Sequence, residues 1–304
     1  MIRDTKIGVL AMAYGGPNTL DEIPGYLADI RSGRVTGKRI VDEITKNYIA
    51  IGGKSPLYEA TVAQSEALGR MLGPQYRVYV GMRHWSPWIE DTVRTMLEEG
   101  VTHIIGIVFA PHQSRVSIDA YHARVQSALS MYHSSIPYMR VHKYHTHPDF
   151  ILSLANAVRA QEATSAHLVM TAHSIPKHYE ENGGTYAVQL NETAEAVAAS
   201  LGLTPNEWSF SFQSKGRSQE EWLGPNLEEH LTALKERGIA NVTVLPIGFV
   251  TDHVEILYDI DIKAQEHARS IGLVLGRART VGHDELFIKA LCDTVISHAI
   301  EQNL

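Results

Sequence analysis

The sequence predicts an α/β fold of two Rossmann-like, doubly wound lobes, each with a parallel sheet. Short β-branched runs alternate with amphipathic helical stretches along the chain, which is the pattern of βαβ units. The length of 304 residues suits two domains of ordinary size better than one. The runs 76–81 and 208–213 also lead through similar helical stretches to strands that end near His112 and His253. This repeat indicates two related halves.

The first half begins with residues 7–13, a continuous apolar run that is typical of a central parallel strand and ends before Gly15-Gly16-Pro17. Runs rich in Val, Ile and aromatic residues predict three further strands, at 76–80, 103–109 and 139–143. Apolar residues three or four positions apart predict helices at 20–30, 38–50, 59–72, 87–99 and 117–131, and a further helix at 148–160 at the start of the second half.

The second half contains the same kinds of segment. Strands are predicted at 167–172, 208–212 and 242–247, and helices at 185–201, 227–236, 251–267 and 284–299. Thr251 or Asp252 is a candidate N-cap, after which Glu255, Asp259 and Lys263 recur four residues apart on one helix face. We therefore expect an N-terminal lobe over 1–145 and a C-terminal lobe over 146–283, with a helix within 284–304 packing back on the first lobe.

Composition excludes several classes of protein. Lys and Arg number 27 against 34 Asp and Glu, so the net charge of −7 offers no basic field for nucleic acid. The single cysteine, Cys292, cannot close an internal disulfide or ligate an iron–sulfur cluster alone, which favours a reducing, cytoplasmic compartment. The absence of a long apolar run or a signal peptide predicts no stable membrane insertion. With 16 histidines, any metal would be bound by imidazole, carboxylate or phenolate.

Candidate functional residues gather where the predicted strands end, because ligands of doubly wound folds bind beyond the carboxyl ends of the strands. The residues at these positions are Tyr14, His84, His112, His173, Gln213 and His253. A tyrosine at such a turn is more often a core aromatic than a ligand, and His173 suits a structural role as well as proton acceptance or metal contact. Glu255 belongs either to a solvated helix face or to the crevice, as a second base beside His173.

Eight short motifs occur in order along nearly the whole chain. They are Ala13-Tyr14-Gly15-Gly16-Pro17, Tyr48-x-x-Ile51-Gly52-Gly53-x-Ser55-Pro56-Leu57, Gly81-Met82-Arg83-His84, Ala110-Pro111-His112, Ala172-His173-Ser174-Ile175-Pro176, Gln213-Ser214-x-Gly216, Trp222-Leu223-Gly224-Pro225 and Pro246-x-Gly248-Phe249-x-x-Asp252-His253-x-Glu255-x-Leu257-Tyr258-Asp259. In this combination the sequence resembles ferrochelatase. The resemblance implies two Rossmann-like lobes around a porphyrin cleft and the insertion of Fe²⁺ into the macrocycle.

The resemblance also implies roles for individual residues. His173 and Glu255 match the pair that contacts the metal and accepts the pyrrole protons. Tyr14 resembles the tyrosine of the coproporphyrin-type branch, which lies across the ring and is axial to the iron of the product. The remaining porphyrin contacts implied by the resemblance are Arg31, Lys46, Asn47, Tyr48, Ser55 and Tyr121. Two departures from the family pattern are Lys46-Asn47, where an arginine is frequent, and Lys263, where an outer carboxylate is expected.

The chemistry of metallation agrees with these roles, because two pyrrole protons must leave as a divalent ion enters, and a neutral imidazole and a carboxylate are suitable acceptors. We expect coproporphyrin III as the porphyrin substrate, coproheme III as the product and heme biosynthesis as the context. Fe²⁺ would be a substrate, without a permanently bound cofactor or an iron–sulfur cluster. The expected state is a monomer with transient contacts to neighbouring heme-pathway enzymes.

Three alternatives remain open at this point. A protoporphyrin IX ferrochelatase would use the same His173 and Glu255 pair. A cobalt or nickel chelatase for a more reduced tetrapyrrole would share the fold, and His and carboxylate ligands suit several divalent ions. A non-enzymatic porphyrin or haem carrier would need axial ligands and propionate donors but no proton-accepting pair.

Overall fold

The computed structural model describes residues 6–161 and 166–302 and divides the chain into two compact units. The first unit contains the described residues up to Ala110, then Val116–Tyr144 and the C-terminal residues from Phe287 onward. The second unit contains Pro111–Arg115 and His145–Leu286. The lobe boundaries expected from the sequence, after residues 145 and 283, remain a prediction.

The first unit is built on a four-stranded parallel sheet with the strand order β2-β1-β3-β4. Its strands are β1 (Ile7–Ala13), β2 (Tyr76–Met82), β3 (His103–Val108) and β4 (Tyr138–Arg140). Every residue of β1 is buried, as its continuous apolar sequence predicts for a strand covered on both faces. Tyr14 is the first residue after β1, so it lies at the carboxyl end of a central strand of this sheet.

The helices of the first unit cover both faces of this sheet. They are a 3₁₀ turn (Leu20–Glu22), α1 (Ile23–Ile30), α2 (Lys38–Ala50), α3 (Leu57–Leu72), α4 (Ile89–Glu98) and α5 (Ile118–Met131), together with α12 (Glu285–Glu301), which begins in the second unit. One core cluster packs Leu10 and Ile104 of the sheet against Val93, Met96 and Val125 of α4 and α5. Among the described helices, none is both long and apolar enough to cross a membrane.

The second unit repeats the topology of the first, with the strand order β6-β5-β7-β8 and parallel pairing throughout. Its strands are β5 (His167–His173), β6 (Trp208–Gln213), β7 (Asn241–Pro246) and β8 (Val274–Arg277). His173 and Gln213 are register partners at the carboxyl ends of β5 and β6. The repeated sequence pattern therefore corresponds to two sheets of one strand order.

Six α-helices and one π-helix accompany the second sheet within the described residues. They are α6 (Pro148–Arg159), α7 (His178–Glu181), α8 (Tyr186–Leu201), α9 (Leu227–Glu236), α10 (Val254–Leu257), the π-helix Asp259–Ala264 and α11 (Gln265–Ser270). Ile256 and Ile260 are fully buried against Leu231, Val244 and Leu275. This packing places α10 and the π-helix beside the strand end that carries His173.

All seven predicted strands are present, with ends that differ by three residues or fewer, and the fold class is confirmed. β8 was not predicted, because it has only four residues and one of them is Gly276. The single helix expected over 251–267 is wrong: α10 begins at Val254, and the π-helix separates it from α11. Neither Thr251 nor Asp252 is the N-cap, and the Asp252 carboxylate instead binds Arg277 and Thr280.

Candidate active site

The chain at His173 and Ser174 makes three hydrogen bonds to neighbouring segments. Ser174 donates from its backbone nitrogen to the carbonyl of Gln213 at 2.9 Å, and its hydroxyl donates to the carbonyl of Leu223 at 2.7 Å. The phenol of Tyr186, at the start of α8, donates to the carbonyl of His173 at 3.1 Å. The imidazole therefore projects from a strand end that has little freedom to move.

Gly248 brings the loop after β7 close to the same strand end. A Cβ atom at this position would lie 2.6 Å from the Cβ of Ala172, the residue before His173. The backbone nitrogen of Gly248 donates to the carbonyl of Thr171 at 3.2 Å. Only glycine permits this approach, and the approach leads the chain into α10 with Glu255 in its first turn.

The carboxylate of Glu255 lies between two imidazoles. Its Oε1 atom is 3.4 Å from Nε2 of His173, and its Oε2 atom is 3.3 Å from Nε2 of His253. The side chains of His173 and Glu255 are 32% and 33% exposed, so both remain accessible to a ligand. His253 is more deeply buried, at 15% exposure.

The second nitrogen of each imidazole faces a backbone carbonyl. Nδ1 of His253 lies 3.1 Å from the carbonyl oxygen of Thr251, and Nδ1 of His173 contacts the carbonyl oxygen of Ser174. A carbonyl oxygen only accepts hydrogen bonds, so this network assigns the hydrogen to Nδ1 in both rings. In the neutral rings the lone pair is therefore on Nε2, facing the carboxylate of Glu255.

The electrostatics of this site favour a charged pair at neutral pH. Burial alone would lower the pKa of His173, but the negative charge of Glu255 and the contact with it outweigh burial and raise this pKa to about 9. Burial alone would raise the pKa of Glu255, whereas the charges of His173 and His253 hold it well below its usual range. A metal ion that binds Nε2 of His173 must therefore displace a proton.

Asp259 and Lys263, which the sequence predicts on one helix face with Glu255, have partners in other segments of the second unit. Asp259 accepts a hydrogen bond from the hydroxyl of Ser214, and burial raises the pKa of Asp259. Lys263 places its Nζ atom 2.6 Å from Oε1 of Glu228 in α9. The positive charge of Lys263, which departs from the resembled family pattern, is therefore paired with an acidic residue of another helix.

Tyr14 lies in the first unit, beside His84. Their rings are 4.5 Å apart between centroids, and the backbone nitrogen of His84 donates to the carbonyl of Tyr14 at 2.8 Å. Nδ1 of His84 is 2.7 Å from Asp29 in α1, and burial lowers the pKa of His84 to about 4. His84 is therefore neutral at pH 7 and donates to Asp29, while Tyr14 as a residue remains 39% exposed.

Two of the other predicted porphyrin contacts are buried close to the glycine turn after β1. Ser55 is 3% exposed and Tyr48 is 2% exposed. A Cβ atom at Gly16 would lie 2.7 Å from the hydroxyl of Ser55 and 3.8 Å from that of Tyr48. The structure thus brings Tyr48 and Ser55 together at this turn.

The remaining predicted contacts are dispersed over the first unit. Tyr121 is 3% exposed and lies beneath the guanidinium of Arg83, at 5.3 Å from the ring centroid. Arg31 is exposed just beyond α1, and its guanidinium donates to Thr36 at 3.4 Å. Lys46 is exposed and Asn47 is half-buried in the last turns of α2. Their roles as porphyrin contacts remain predictions.

Sequence reasoning identified His253 only as a residue near a strand end and did not assign it to the site. Its ring contacts the carboxylate of Glu255 because α10 begins directly after His253 and because the ring turns back over the first helical turn. Gln213 was likewise identified only as a strand-end residue, and Ser214 only as part of a motif, although their side chains contact the Glu255 carbonyl and the Asp259 carboxylate. The one available signal was the short spacing within Asp252-His253-x-Glu255.

Two units of the same strand order, each with a four-stranded parallel sheet, define a chelatase-type fold. The sirohydrochlorin chelatase SirB from Bacillus subtilis, in complex with cobalt, has a similar fold, with a TM-score of 0.62 over 98% of this chain and 97% of that one. CbiX, described as the terminal enzyme for siroheme biosynthesis in denitrifying bacteria, has a TM-score of 0.57 over 95% and 98%. Sequence identities of 11% and 13% make this a likeness of fold alone.

Sequence comparison identifies the family. The Ferrochelatase family model matches residues 6–299. A ferrochelatase from Deinococcus radiodurans is 50% identical over 97% of this chain and 96% of its own length. A coproporphyrin III ferrochelatase from Geobacillus kaustophilus is 34% identical over 99% and 98%. This chain belongs to the ferrochelatase family, and it is an enzyme that inserts a metal ion into a porphyrin.

Proposed function

We propose that this enzyme inserts Fe²⁺ into coproporphyrin III and produces coproheme III in heme biosynthesis. The observation that carries the proposal is the carboxylate of Glu255 between Nε2 of His173 and Nε2 of His253. This arrangement supplies acceptors for two protons and ligand atoms for a divalent ion in one place. The relative from Geobacillus kaustophilus named for coproporphyrin III supports the choice of porphyrin.

The proton balance of the reaction fits His173 and Glu255 as the two acceptors. Two pyrrole N–H bonds break as the porphyrin nitrogens bind the metal, so two protons must be accepted and passed to water. His173 first gives up the proton that Glu255 stabilises, and its Nε2 lone pair then contacts the incoming metal or accepts a pyrrole proton. Glu255 provides the second acceptor, while both Nδ1 hydrogens stay on their backbone carbonyls.

The first unit supplies the other proposed contacts of the substrate. Tyr14, with its exposed phenol, is the proposed axial ligand of iron in the product. Coproporphyrin III carries four carboxylates, which require cationic and hydroxyl donors. The proposed donors are Arg31, Lys46, Asn47, Tyr48, Ser55 and Tyr121, and the resemblance to the family supports this assignment.

The proposal treats Fe²⁺ as a substrate and includes no permanently bound cofactor. A single cysteine cannot supply the thiolates of an iron–sulfur cluster. A reducing, cytoplasmic compartment suits a protein with one buried thiol and also keeps iron in the ferrous state. We propose a monomer that contacts neighbouring heme-pathway enzymes transiently.

The choice of substrate is tested by anaerobic steady-state assays with Fe²⁺ and either coproporphyrin III or protoporphyrin IX. Metal insertion is followed by the change in the porphyrin absorption spectrum. The expected result is a higher kcat/KM for coproporphyrin III. A preference for protoporphyrin IX would refute the assignment based on Tyr14, and turnover only of Co²⁺ or Ni²⁺ with a reduced tetrapyrrole would refute the assignment to iron.

The roles of the two central residues are tested with His173→Ala and Glu255→Gln. Both variants are expected to lose at least 100-fold in kcat while still binding porphyrin, as measured by fluorescence quenching. The matched controls are His178→Ala and Glu266→Gln, which change exposed residues of the same types in the same unit. Wild-type rates in the two central variants would contradict the mechanism, and porphyrin binding without turnover in the wild type would indicate a carrier.

A further inference from the structure

Gln213 joins the strand that carries His173 to the helix that carries Glu255. Its side chain is buried at the end of β6, and the residue is 1% exposed. The Oε1 atom of the amide accepts a hydrogen bond from the hydroxyl of Thr171 at 2.7 Å. The Nε2 atom donates to the backbone carbonyl of Glu255 at 2.7 Å.

The backbone of Gln213 holds the same strand end as its side chain. Gln213 is the register partner of His173, and its carbonyl accepts from the backbone nitrogen of Ser174 at 2.9 Å. Thr171 precedes His173 by two residues in β5, so their side chains are on the same face of the strand. Gln213 therefore contacts the chain on both sides of His173 and also the backbone carbonyl of Glu255 in α10.

The chemistry of the amide is specific to this position. The carbonyl of Glu255 only accepts, so the group facing it must donate, and the hydroxyl of Thr171 then donates to the remaining amide oxygen. A carboxylate of the same length could not donate to the carbonyl. A thioether of similar length would fill the space but leave a buried hydroxyl and a buried carbonyl without this partner.

We propose that Gln213 is a positioning residue that sets the separation between the imidazole of His173 and the carboxylate of Glu255. The proposal rests on the proposed function, in which these two groups act together. Gln213 itself touches neither the metal nor the porphyrin in this assignment. Its effect comes from fixing two groups whose 3.4 Å separation determines whether both can act on one metal–porphyrin centre.

The kinetic test uses Gln213→Met, Gln213→Glu and Thr171→Val. We expect Gln213→Met to lower kcat about 10- to 100-fold, the range typical of lost partners that orient an active group, with the KM for porphyrin changed less than about twofold. Gln213→Glu should fail to restore kcat because it has no donor for the carbonyl of Glu255. Thr171→Val should give a smaller loss because it removes only one of the two hydrogen bonds.

The matched control is Gln189→Met in α8. Gln189 is 3% exposed, accepts from the backbone nitrogen of Gln113 at 2.8 Å and donates to the hydroxyl of Thr185 at 2.8 Å. It therefore has similar burial and also bridges two segments, but it does not bond to His173 or Glu255. A loss of kcat in Gln213→Met no larger than in Gln189→Met, at equal loss of thermal stability, would overturn the proposal.

A structural measurement separates this proposal from the proposed function. Crystal structures of the wild type and of Gln213→Met report the distance between Nε2 of His173 and the carboxylate of Glu255 without any turnover. We expect this distance to increase by at least about 0.5 Å in the variant, the tolerance typical of functional groups in active sites. An unchanged distance would refute the role of Gln213 even if metal insertion is confirmed. A changed distance in a protein without turnover would refute only the function.

Discussion

The carboxylate of Glu255 has a second imidazole partner in His253, whose Nε2 atom lies 3.3 Å from Oε2. His253 is buried more deeply than His173, at 15% against 32% side-chain exposure, and its other nitrogen is hydrogen-bonded to Thr251. His173, the more exposed imidazole, can therefore reach a substrate, while His253, the more buried one, orients the carboxylate of Glu255 between them. A partner of this kind determines both the direction and the protonation of the group that it contacts.

We predict that His253→Ala lowers kcat about 10- to 100-fold, because Glu255 loses one of the two contacts that orient its carboxylate. Steady-state metallation assays measure this effect, with porphyrin affinity measured separately by fluorescence. The matched control is His267→Ala, which removes a half-buried histidine that bonds to Thr232 in the same unit. If the two variants were equally active, His253 would have no part in the site.

We predict that metal binding by the free enzyme releases protons and becomes tighter as the pH rises toward 9. The pKa of His173 is about 9, so at pH 7 only about 1% of this group is neutral, and each pH unit gives about ten times more of the form that binds metal. Calorimetric titration with Zn²⁺ in buffers of different ionisation enthalpy should show about one proton released at pH 7 and fewer above pH 9.

Glu255→Gln provides the internal comparison for this pH dependence. The variant removes the negative charge that raises the pKa of His173, while the burial that lowers it remains. The release of protons on Zn²⁺ binding should therefore disappear above pH 7. An unchanged pH profile in this variant would contradict the assignment of the raised pKa to Glu255.

The sequence was sufficient for the alternation of strands and helices. It singled out His173 by its position at a strand end and paired it with Glu255 through the resemblance to ferrochelatase, and the structure brings the two side chains within 3.4 Å. The sequence was insufficient for His253 and Gln213, because their roles depend on how α10 returns over the ends of β5 and β6. The π-helix is another case: residues 251–267 have the apolar spacing of one α-helix. That spacing does not distinguish the hydrogen bond of an α-helix from the longer one between the Lys263 nitrogen and the Tyr258 carbonyl. The short strand β8 leaves too weak a signal to detect, and the role of its last residue, Arg277, was missed with it.

We predict that Arg277→Met lowers the free energy of unfolding by about 2 to 3 kcal/mol. The guanidinium binds Asp261 through two bonds, of 2.6 and 2.8 Å, and contacts both carboxylate oxygens of Asp252 at 3.3 Å. Its removal leaves the half-buried carboxylates of Asp252 and Asp261 without their cation. The expected loss of stability is smaller than for a fully buried ion pair, because both carboxylates are partly exposed. Arg77→Met is the control: its exposed pair with Glu99 should contribute less than about 1 kcal/mol. Equal losses for the two variants in urea denaturation would contradict the prediction.

We predict that His122 makes the protein less stable in acid. Nε2 of His122 donates to the carbonyl of Val141 at 3.0 Å, Nδ1 accepts from the phenol of Tyr138 at 2.5 Å, and burial lowers the pKa to about 4. In the unfolded chain the pKa is about 6.5, so the unfolded state binds the proton first as the pH falls. The contribution of His122 to stability is therefore complete above about pH 6.5 and is lost as the pH falls through 4, by about 3 kcal/mol in total.

Urea denaturation between pH 4 and 7 should show a shallower pH dependence of the free energy of unfolding for His122→Gln than for the wild type. His133→Asn, at an exposed position, should retain the wild-type slope. Identical slopes for His122→Gln and the wild type would show that the buried imidazole is not the group that titrates.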